Sequence, residues 1–236
     1  MSTRPDAIGG SEATGTHRAP HVEAPDAAGE LVVVASSNHG KLAEIRAALP
    51  FAHWHFSAAG ELDVEWPSPE ETGETFEDNA RIKAVACRER FGFAALADDS
   101  GLEVDALEGA PGVYSARFAG PCASDAENNA RMLVALADVP EAERTARFRC
   151  TVVFIAEDGR ETIADGTCEG RIGFQARGEH GFGYDPLFAP DAAAGRTMAE
   201  LTLAEKNAIS HRGAALRNLR VKLAGRAAPA TPARSS

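Results

Sequence analysis

Short apolar runs alternate with segments that carry helix signals, and this alternation limits the possible fold more than any other feature of the sequence. The run 31–35 precedes a segment, 41–49, whose apolar residues recur at helical spacing, and the run 93–97 follows a segment that Thr75 and Asp78 can cap. Short apolar runs are typical of buried strands, whereas recurrence every three or four residues is typical of a helix with one buried face. The sequence therefore predicts an α/β domain.

The second half of the chain predicts antiparallel strands. The runs 148–156 and 161–169 flank Asp158-Gly159, a dipeptide that favours the tight turn of a β-hairpin. The sheet is therefore expected to be mixed, with parallel strands near the N-terminus and a hairpin later.

Two more helices are predicted from capping boxes. Ser124 with Glu127 predicts a helix that ends near Ala137, and Thr202 with Glu205 predicts a final helix. The apolar stripe of that final helix consists of Ile209, Leu216, Leu219 and Leu223. The sequence predicts one continuous helix here.

Both ends of the chain differ in composition from the middle. Residues 1–29 and 225–236 are rich in small residues and proline and show neither helical nor strand periodicity. Such segments offer too little apolar surface to offset the entropy of ordering. We therefore expect a disordered N-terminal extension, one folded domain over 30–224 and a disordered tail.

Charge and cysteine content exclude several classes of function. The formal net charge of −11 argues against a partner that is nucleic acid, because such binders concentrate lysine and arginine. The cysteines form no CxxC pair, and no apolar run approaches the ~20 residues that span a bilayer. We expect a cytoplasmic protein that does not bind membranes.

A candidate phosphate-binding loop follows the first predicted strand. Backbone N–H groups at the start of a helix attract phosphate, and Lys41 adds a positive charge. A Walker A loop would need glycine at Ala35 and a hydroxyl at Leu42, so any metal must be bound elsewhere. An ordinary strand-to-helix turn with a solvated lysine remains open. The loop residues are Ser36, Ser37, Asn38, His39, Gly40 and Lys41.

A candidate metal site follows the strand predicted at 93–97. Asp98 and Asp99 are expected where this strand ends and Ser100-Gly101 turns the chain, and Glu70-Glu71 is a second source of carboxylates. Magnesium prefers oxygen ligands and is commonly held by one or two carboxylates together with substrate phosphates. A simple turn of Asp, Ser and Gly remains the alternative.

Aromatic and basic residues near the C-terminus suit a nucleobase. The loop 178–186 places Phe182 between glycines, where its ring can stack on a base, although packing in the core is the commoner role of a phenylalanine. Arg212 falls within the apolar stripe of the last helix, so its charge must be paired or face a cleft. Lys206 and His211 lie on the same predicted helix.

Together these segments resemble the inosine triphosphate pyrophosphatase family, also called the non-canonical purine NTP pyrophosphatases, over about residues 31–223. The matching stretches are Ser36 to Lys41, Glu71 to Phe76 with Asn79 and Lys83, Ala97 to Leu102, Gly109 to Arg117, Gly181 to Pro186, and Glu205-Lys206 with Ser210 to Gly213. Two features differ from the family: Ser36-Ser37 stands where Thr-Gly is more common, and the N-terminal extension has no counterpart.

The resemblance implies an elongated central mixed β-sheet flanked by helices, with two lobes and the active-site cleft between them. It implies a homodimer that hydrolyses dITP, ITP, XTP or dXTP with Mg²⁺ to the monophosphate and pyrophosphate, which would cleanse the nucleotide pool. A related pyrophosphatase for other modified bases and a catalytically silent nucleotide sensor remain alternatives.

The resemblance also implies roles for individual residues. Asp99 would be the catalytic acid–base, and Asp99, Glu71 and Asp98 would hold the metal, with Glu70 close enough to compete for that role. Asn38, Lys41 and Lys83 would contact phosphates. His211 and Arg212 can donate toward a 6-keto oxygen, which disfavours adenine. The further substrate-binding residues would be Ser36, Ser37, His39, Gly40, Ser100, Phe182, Gly183, Tyr184, Asp185 and Lys206.

Overall fold

The structure is a computed structural model that describes residues 29–36, 38–51, 53–62 and 64–227. Of the ends predicted to be disordered, 1–29 and 225–236, the structure describes only Gly29 and residues 225–227, and the latter continue the last helix instead of beginning a tail. Within the described part the strands are β1 (Glu30–Val34), β2 (Trp54–Ala58), β3 (Ala94–Val104), β4 (Thr145–Ile155), β5 (Glu161–Ile172) and β6 (Phe188–Pro190). The α-helices are α1 (His39–Ala48), α2 (Phe76–Phe91), α3 (Asp125–Ala135), α4 (Leu203–Ile209) and α5 (His211–Ala227).

The strands form one mixed sheet in the order β2-β1-β3-β4-β5-β6. Strand β1 pairs in parallel with β2 and β3, whereas β3, β4, β5 and β6 pair antiparallel with one another. The predicted hairpin is confirmed, because Asp158 and Gly159 connect β4 to β5 and Gly159 adopts a φ of 85°. The predicted mixed α/β sheet is therefore confirmed.

The predicted helix caps are also present. Thr75 accepts a hydrogen bond from the Asp78 N–H group at 3.1 Å, and α2 ends at Gly92 with a φ of 78°. Ser124 with Glu127 and Thr202 with Glu205 form the capping boxes of α3 and α4. These caps satisfy N–H groups that have no partner inside the helix.

Alternate residues of the central strands face different helices. Ala94 and Leu96 of β3 pack in a core with residues of α1 and α5, so we call this side of the sheet the α5 face. Ala95 and Ala97 pack with residues of α2 on the opposite side, the α2 face. Because strand side chains alternate between faces, this pattern fixes which way the residues after Ala97 point.

A second core defines a second lobe. The far ends of β3, β4 and β5 pack with α3 and β6 around Leu102, Met132 and Phe188, whereas the first two cores lie around β1. The three long strands run through both lobes, as the fold prediction requires.

The predicted turn at Ser100-Gly101 is wrong. Strand β3 continues to Val104 and pairs with β4 throughout, including Asp98 with Val152 and Asp99 with Thr151. Only its pairing with β1 ends, at Leu96. The two carboxylates therefore lie within β3, but beyond the last residue at which β3 pairs with β1.

The predicted continuous last helix is also wrong. Ser210 ends α4 with a ψ of 157°, and its hydroxyl accepts a hydrogen bond from the Gly213 N–H group at 3.1 Å as α5 begins. Ile209 packs in the second lobe, whereas Leu216 and Leu219 pack in the first. The apparent single stripe therefore belongs to two helices that serve different cores.

None of the described helices combines the length and the apolar character needed to cross a membrane. The strands β2 and β6 were not predicted.

Candidate active site

A cleft lies between the two lobes, above the point where β1 ends and β3 continues. It is lined by Asn38 and Lys41 from the start of α1, by Lys83 from α2 and by Tyr184 from the second lobe. Other predicted residues in its lining are Glu71, Asp99, Ser100, Phe182, Gly183, Asp185, Lys206, His211 and Arg212. Residues in the lining that were not predicted are Gly101, Ser115, Ala116, Asp125, Asn128 and Phe148. The structure thus brings together residues from widely separated parts of the sequence.

Asp98 points to the α5 face and is enclosed by cations. Arg212 donates to it from Nε at 3.1 Å and from Nη2 at 3.0 Å, and Lys41 Nζ lies 3.0 Å from the same oxygen. Burial alone would raise the pKa of Asp98, but these positive charges outweigh it and hold the pKa far below its ordinary value. Asp98 is buried and does not line the cleft, which does not favour the metal-ligand role expected for it.

Glu44 of α1 extends this buried network. Its carboxylate forms ion pairs with Arg212 and, at 2.9 Å, with Lys206, and Lys206 lies 2.6 Å from Asp185. Burial opposes ionisation of Glu44, yet the charges of Arg212 and Lys206 lower its pKa. Asp185 is less strongly compensated, and burial raises its pKa. Each cation that reaches the cleft from this side is therefore held by buried carboxylates.

Asp99 points to the α2 face and meets a different set of partners. Lys83 Nζ lies 2.9 Å from Asp99 Oδ1 and 2.9 Å from Glu71 Oε1. Asn79 also donates to Asp99, at 3.4 Å. Burial raises the pKa of Asp99 above its ordinary value, although Lys83 acts in the opposite direction. The carboxylate that faces the cleft is thus less firmly held in its charged form than Asp98.

Glu71 and Asp99 have the donor chemistry that a hard divalent cation needs. Both carboxylates line the cleft and share one lysine, while Glu70 is exposed and is not part of the lining. Within the described residues, no three His, Cys, Asp or Glu side chains are grouped as ligands of one ion. Two carboxylates suffice for magnesium when substrate phosphates and water supply the other oxygens. The residues present therefore fit such an ion at Glu71 and Asp99.

The loop before α1 is organised around Asn38. Its side-chain oxygen accepts a hydrogen bond from the Lys41 N–H group at 3.1 Å, and the Ser36 hydroxyl accepts one from the Asn38 N–H group at 3.1 Å. Asn38 is thus the N-cap of α1, at the positive end of the helix dipole. Ser37 and the side chain of His39 lie outside what the structure describes.

Phe182 closes the cleft on the side of α1 and α4. The Phe182 N–H group donates to Asp185 Oδ2 at 2.9 Å, and its ring lies 4.6 Å from Lys206 Nζ and 5.5 Å from Arg212 Cζ. A Cβ atom at Gly40 would lie 3.1 Å from the ring, so the absence of a side chain there leaves room for Phe182. The ring is half-buried and lies near two cations, and its partial exposure leaves it suited to stacking on a ligand.

His211 is an uncharged, buried member of the lining. Its ring stacks on Phe148 with centroids 4.6 Å apart, and its Nδ1 has no hydrogen-bond partner among the described residues. Burial, together with the charges of Arg212 and Lys206, holds the pKa of His211 well below its ordinary value. A neutral imidazole offers one donor and one acceptor to a ligand.

Tyr184 and Ser115 shape the second-lobe wall. The buried Tyr184 hydroxyl donates to the Ser115 carbonyl at 2.9 Å, and the Ser115 hydroxyl accepts from the Leu102 N–H group at 2.8 Å. Gly101 lies against Gly112 and Ser115, where a side chain would clash. Tyr184 therefore stabilises the wall of the cleft, and its hydroxyl is bonded to the Ser115 carbonyl and not directed to a ligand.

The residues that sequence reasoning missed carried weak signals. Glu44 lies three residues after Lys41 on the edge of α1, and only its burial shows that it is not a solvated charge. Asp125 follows a capping serine, where an acidic residue needs no further explanation. Ser115 lies within the stretch 109–117 that carries the family resemblance, but nothing in its spacing indicated a cleft.

The chain is similar to known proteins over most of its length. A model of the Ham1 family matches residues 32–222. A dITP/XTP pyrophosphatase of Exiguobacterium sibiricum is 50% identical over 192 residues, covering 81% of this chain and 96% of that protein. A dITP/XTP pyrophosphatase of Geobacter sulfurreducens is 50% identical over 185 residues, covering 78% of this chain and 92% of that protein.

Two solved structures are similar over most of the chain. A HAM1 protein from Coxiella burnetii is 44% identical with a TM-score of 0.73, covering 83% of this chain and 99% of its own. A nucleoside-triphosphatase / dITP/XTP pyrophosphatase from Mycobacterium abscessus is 40% identical with a TM-score of 0.63, covering 84% of this chain and 100% of its own.

Proposed function

The chain belongs to the Ham1 family, and on that premise we propose that it hydrolyses the non-canonical purine nucleoside triphosphates dITP, ITP, XTP and dXTP to the monophosphate and pyrophosphate. It is a hydrolase that cleanses the nucleotide pool. The observation that carries this assignment is the pair Glu71 and Asp99, which share Lys83 at 2.9 Å in a cleft that also presents Lys41, Lys206 and Arg212.

Asp99 is the residue proposed to act on water. Its carboxylate reaches the cleft, where it can accept a proton from water, and without a bound metal burial raises its pKa above the ordinary value. Lys83 and Asn79 hold its two oxygens and so fix its orientation. In this account Asp99 orients the water and accepts its proton during attack on the α-phosphorus.

Magnesium is the proposed cofactor, with Glu71 and Asp99 as its protein ligands. When bound, it would neutralise charge on the phosphate oxygens. Asp98 is proposed instead as a positioning residue, because its Oδ2 atom bonds Lys41 and Arg212 and its side chain is buried outside the lining of the cleft. Glu70 is not proposed as a ligand, since it is exposed and outside the cleft.

The phosphates are proposed to lie at the start of α1 and near Lys83. Asn38 caps α1 and Lys41 follows in its first turn, so the helix dipole and an ammonium group both favour an anion there. Ser36, Ser37, His39 and Gly40 belong to the same proposed loop, with Gly40 lying against Phe182.

The base is proposed to stack on Phe182 with its edge toward Lys206, His211 and Arg212. Arg212 can only donate hydrogen bonds, so it favours a 6-keto oxygen and disfavours the 6-amino group of adenine. The remaining proposed contacts come from Ser100, Gly183, Tyr184 and Asp185.

Two further proposals concern the protein as a whole. The family resemblance supports a homodimer, which light scattering of the purified protein tests directly. The four cysteines Cys87, Cys122, Cys150 and Cys168 are free, which supports a reducing compartment such as the cytoplasm.

The function is tested by a substrate panel. Purified protein and magnesium are incubated separately with dITP, XTP, dGTP, ATP and dUTP, and both products are identified. We expect rapid release of pyrophosphate and monophosphate from dITP and XTP alone. Preferential turnover of dUTP would contradict the purine assignment, and saturable binding of dITP without any release of pyrophosphate would show a nucleotide sensor instead.

A further inference from the structure

The backbone of Gly183, next to the proposed stacking residue Phe182, is held from the second lobe. The Gly183 N–H group donates to Asp125 Oδ2 at 2.6 Å, and the Gly183 carbonyl accepts from Asn129 Nδ2 at 2.8 Å. Asp125 and Asn129 lie four residues apart, on one side of the first turns of α3. Both backbone polar groups of Gly183 are thus bonded by one helix.

The backbone around Phe182 is held by these contacts, by Asp185 and by the His180 N–H group, which donates to the Ala199 carbonyl at 3.1 Å. Gly181 and Gly183 adopt φ values of 80° and 60°, a region of backbone conformation that suits glycine. Phe182 is itself only half-buried. The position of the ring therefore depends on how its neighbours are fixed.

Helix α3 is anchored independently of the loop. Ser124 and Glu127 complete the capping box, so Asp125 is not the residue that caps the helix. Asn128 joins the helix to the cleft wall by accepting from the Ala119 N–H group at 2.8 Å and donating to the Ala116 carbonyl at 3.1 Å. A helix that is held by its own contacts can fix the position of the loop that it bonds.

We propose that Asp125, assisted by Asn129, is a positioning residue that sets the place of the Phe182 ring and thereby the affinity for the base. This rests on the proposed function, because it assumes that Phe182 stacks on the bound base. Asp125 acts on Phe182 through its hydrogen bond with the N–H group of Gly183, the next residue, and this contact does not require bound nucleotide. A hydrogen bond from N–H to a carboxylate is among the stronger ones, but Asp125 is exposed, so water weakens it.

The first test measures the loop without nucleotide. Hydrogen exchange of the segment 178–185 is compared in the full-length wild type, Asp125→Ala and the control Glu127→Ala, which weakens the cap of α3 but leaves the Gly183 contact. We expect faster exchange in this segment for Asp125→Ala only. Equal exchange in Asp125→Ala and the wild type would overturn the proposal, as would the same increase in Glu127→Ala.

The second test is a double-mutant cycle with dITP as substrate. Asp125→Ala should raise KM roughly tenfold with little change in kcat, and Asp125→Asn, which keeps an acceptor oxygen, should raise it less. In a Phe182→Ala background, Asp125→Ala should change KM by less than about twofold, because the residue through which it acts is gone. If Asp125→Ala instead caused a general loss of folding, it would lower kcat, and its effect would be the same in the wild-type and the Phe182→Ala backgrounds.

The outcomes separate this inference from the function on which it rests. If the wild type releases pyrophosphate from dITP but the two substitutions are additive, the positioning role is wrong and the function stands. If the wild type does not hydrolyse dITP, the proposed function is wrong whatever the exchange experiment shows.

Discussion

Asp98 and Asp99 are neighbours on β3, yet they face opposite sides of the sheet and meet different environments. On the α5 face, the carboxylates Asp98, Glu44 and Asp185 are joined to the cations Lys41, Lys206 and Arg212. Three formal negative charges there meet three positive charges. On the α2 face, the carboxylates Asp99 and Glu71 share the single ammonium group of Lys83, which leaves a formal charge of −1.

We infer from this difference that the two faces have different roles. Apart from the half-buried Lys41, the balanced set is buried, and it holds Arg212 and Lys206 at the edge of the cleft, where we propose that they meet a base. The unbalanced set retains negative charge in the cleft, which a divalent cation and its bound phosphates can use. We therefore propose that the carboxylates of the α5 face hold the cations in place, whereas those of the α2 face take part in the reaction.

The largest effect is expected from Asp99→Asn. The amide keeps the size of the side chain and an oxygen for Lys83, so the fold should persist, but it cannot accept a proton from water. We expect kcat for dITP to fall by about 10³-fold or more. Pyrophosphate release measures this, and a thermal melt checks the fold. Substantial activity in a folded Asp99→Asn variant would contradict the proposed role of Asp99 as the residue that accepts the proton from water.

Asp98→Asn should act first on stability. It removes the charge that compensates Lys41 and Arg212 in a buried place, and breaking such a pair costs about 3–5 kcal/mol in the free energy of unfolding. Urea unfolding at neutral pH gives the value. If Asp98→Asn were no less stable than Asp99→Asn, the contrast between the two faces would fail.

A smaller effect is expected from Glu71→Gln. Because Glu71 lines the cleft and Glu70 does not, only Glu71→Gln should raise the magnesium concentration that gives half-maximal rate, by about tenfold or more. Glu70→Gln is the matched control one residue away. Equal shifts in both variants, or a shift in Glu70→Gln alone, would contradict the assigned ligand.

The smallest effect concerns pH and Glu44. The folded-state pKa of Glu44 is lowered, so its contribution to stability is present above the pKa of an unfolded glutamate and is lost as pH falls through the folded value. Free energies of unfolding measured from neutral to acidic pH should therefore fall more steeply in the wild type than in Glu44→Gln. Parallel curves would show that Glu44 is not stabilised as an anion.

Much of the fold could be predicted because its signals are local. A helix cap or a tight turn is formed by residues only a few positions apart in the sequence. This holds for the caps at Thr75, Ser124 and Thr202 and for the turn at Asp158-Gly159. The continuation of β3 through Asp98 and Asp99 could not be predicted in the same way. It depends on pairing with β4, about fifty residues later, which supplies partners to a stretch whose composition favours a turn.

Many residues of the candidate site could be predicted from the sequence, but their arrangement in space could not. Residue types and the family resemblance indicated Asp99, Lys83 and Phe182, but the partners of Asp99 depend on which face of β3 it occupies. Glu44 had no distinguishing signal, because only the assembled structure buries it between Lys206 and Arg212. Asp125 was missed for the same reason, since its contact with Gly183 joins two distant segments.

The proposed reaction is attack of water on the α-phosphorus of a non-canonical purine triphosphate. Hydrolysis of dITP in ¹⁸O-labelled water, followed by mass spectrometry of both products, shows which phosphorus is attacked. We expect one ¹⁸O atom in the monophosphate and none in the pyrophosphate. Label in the pyrophosphate, or release of labelled orthophosphate, would show attack at another phosphorus and contradict it.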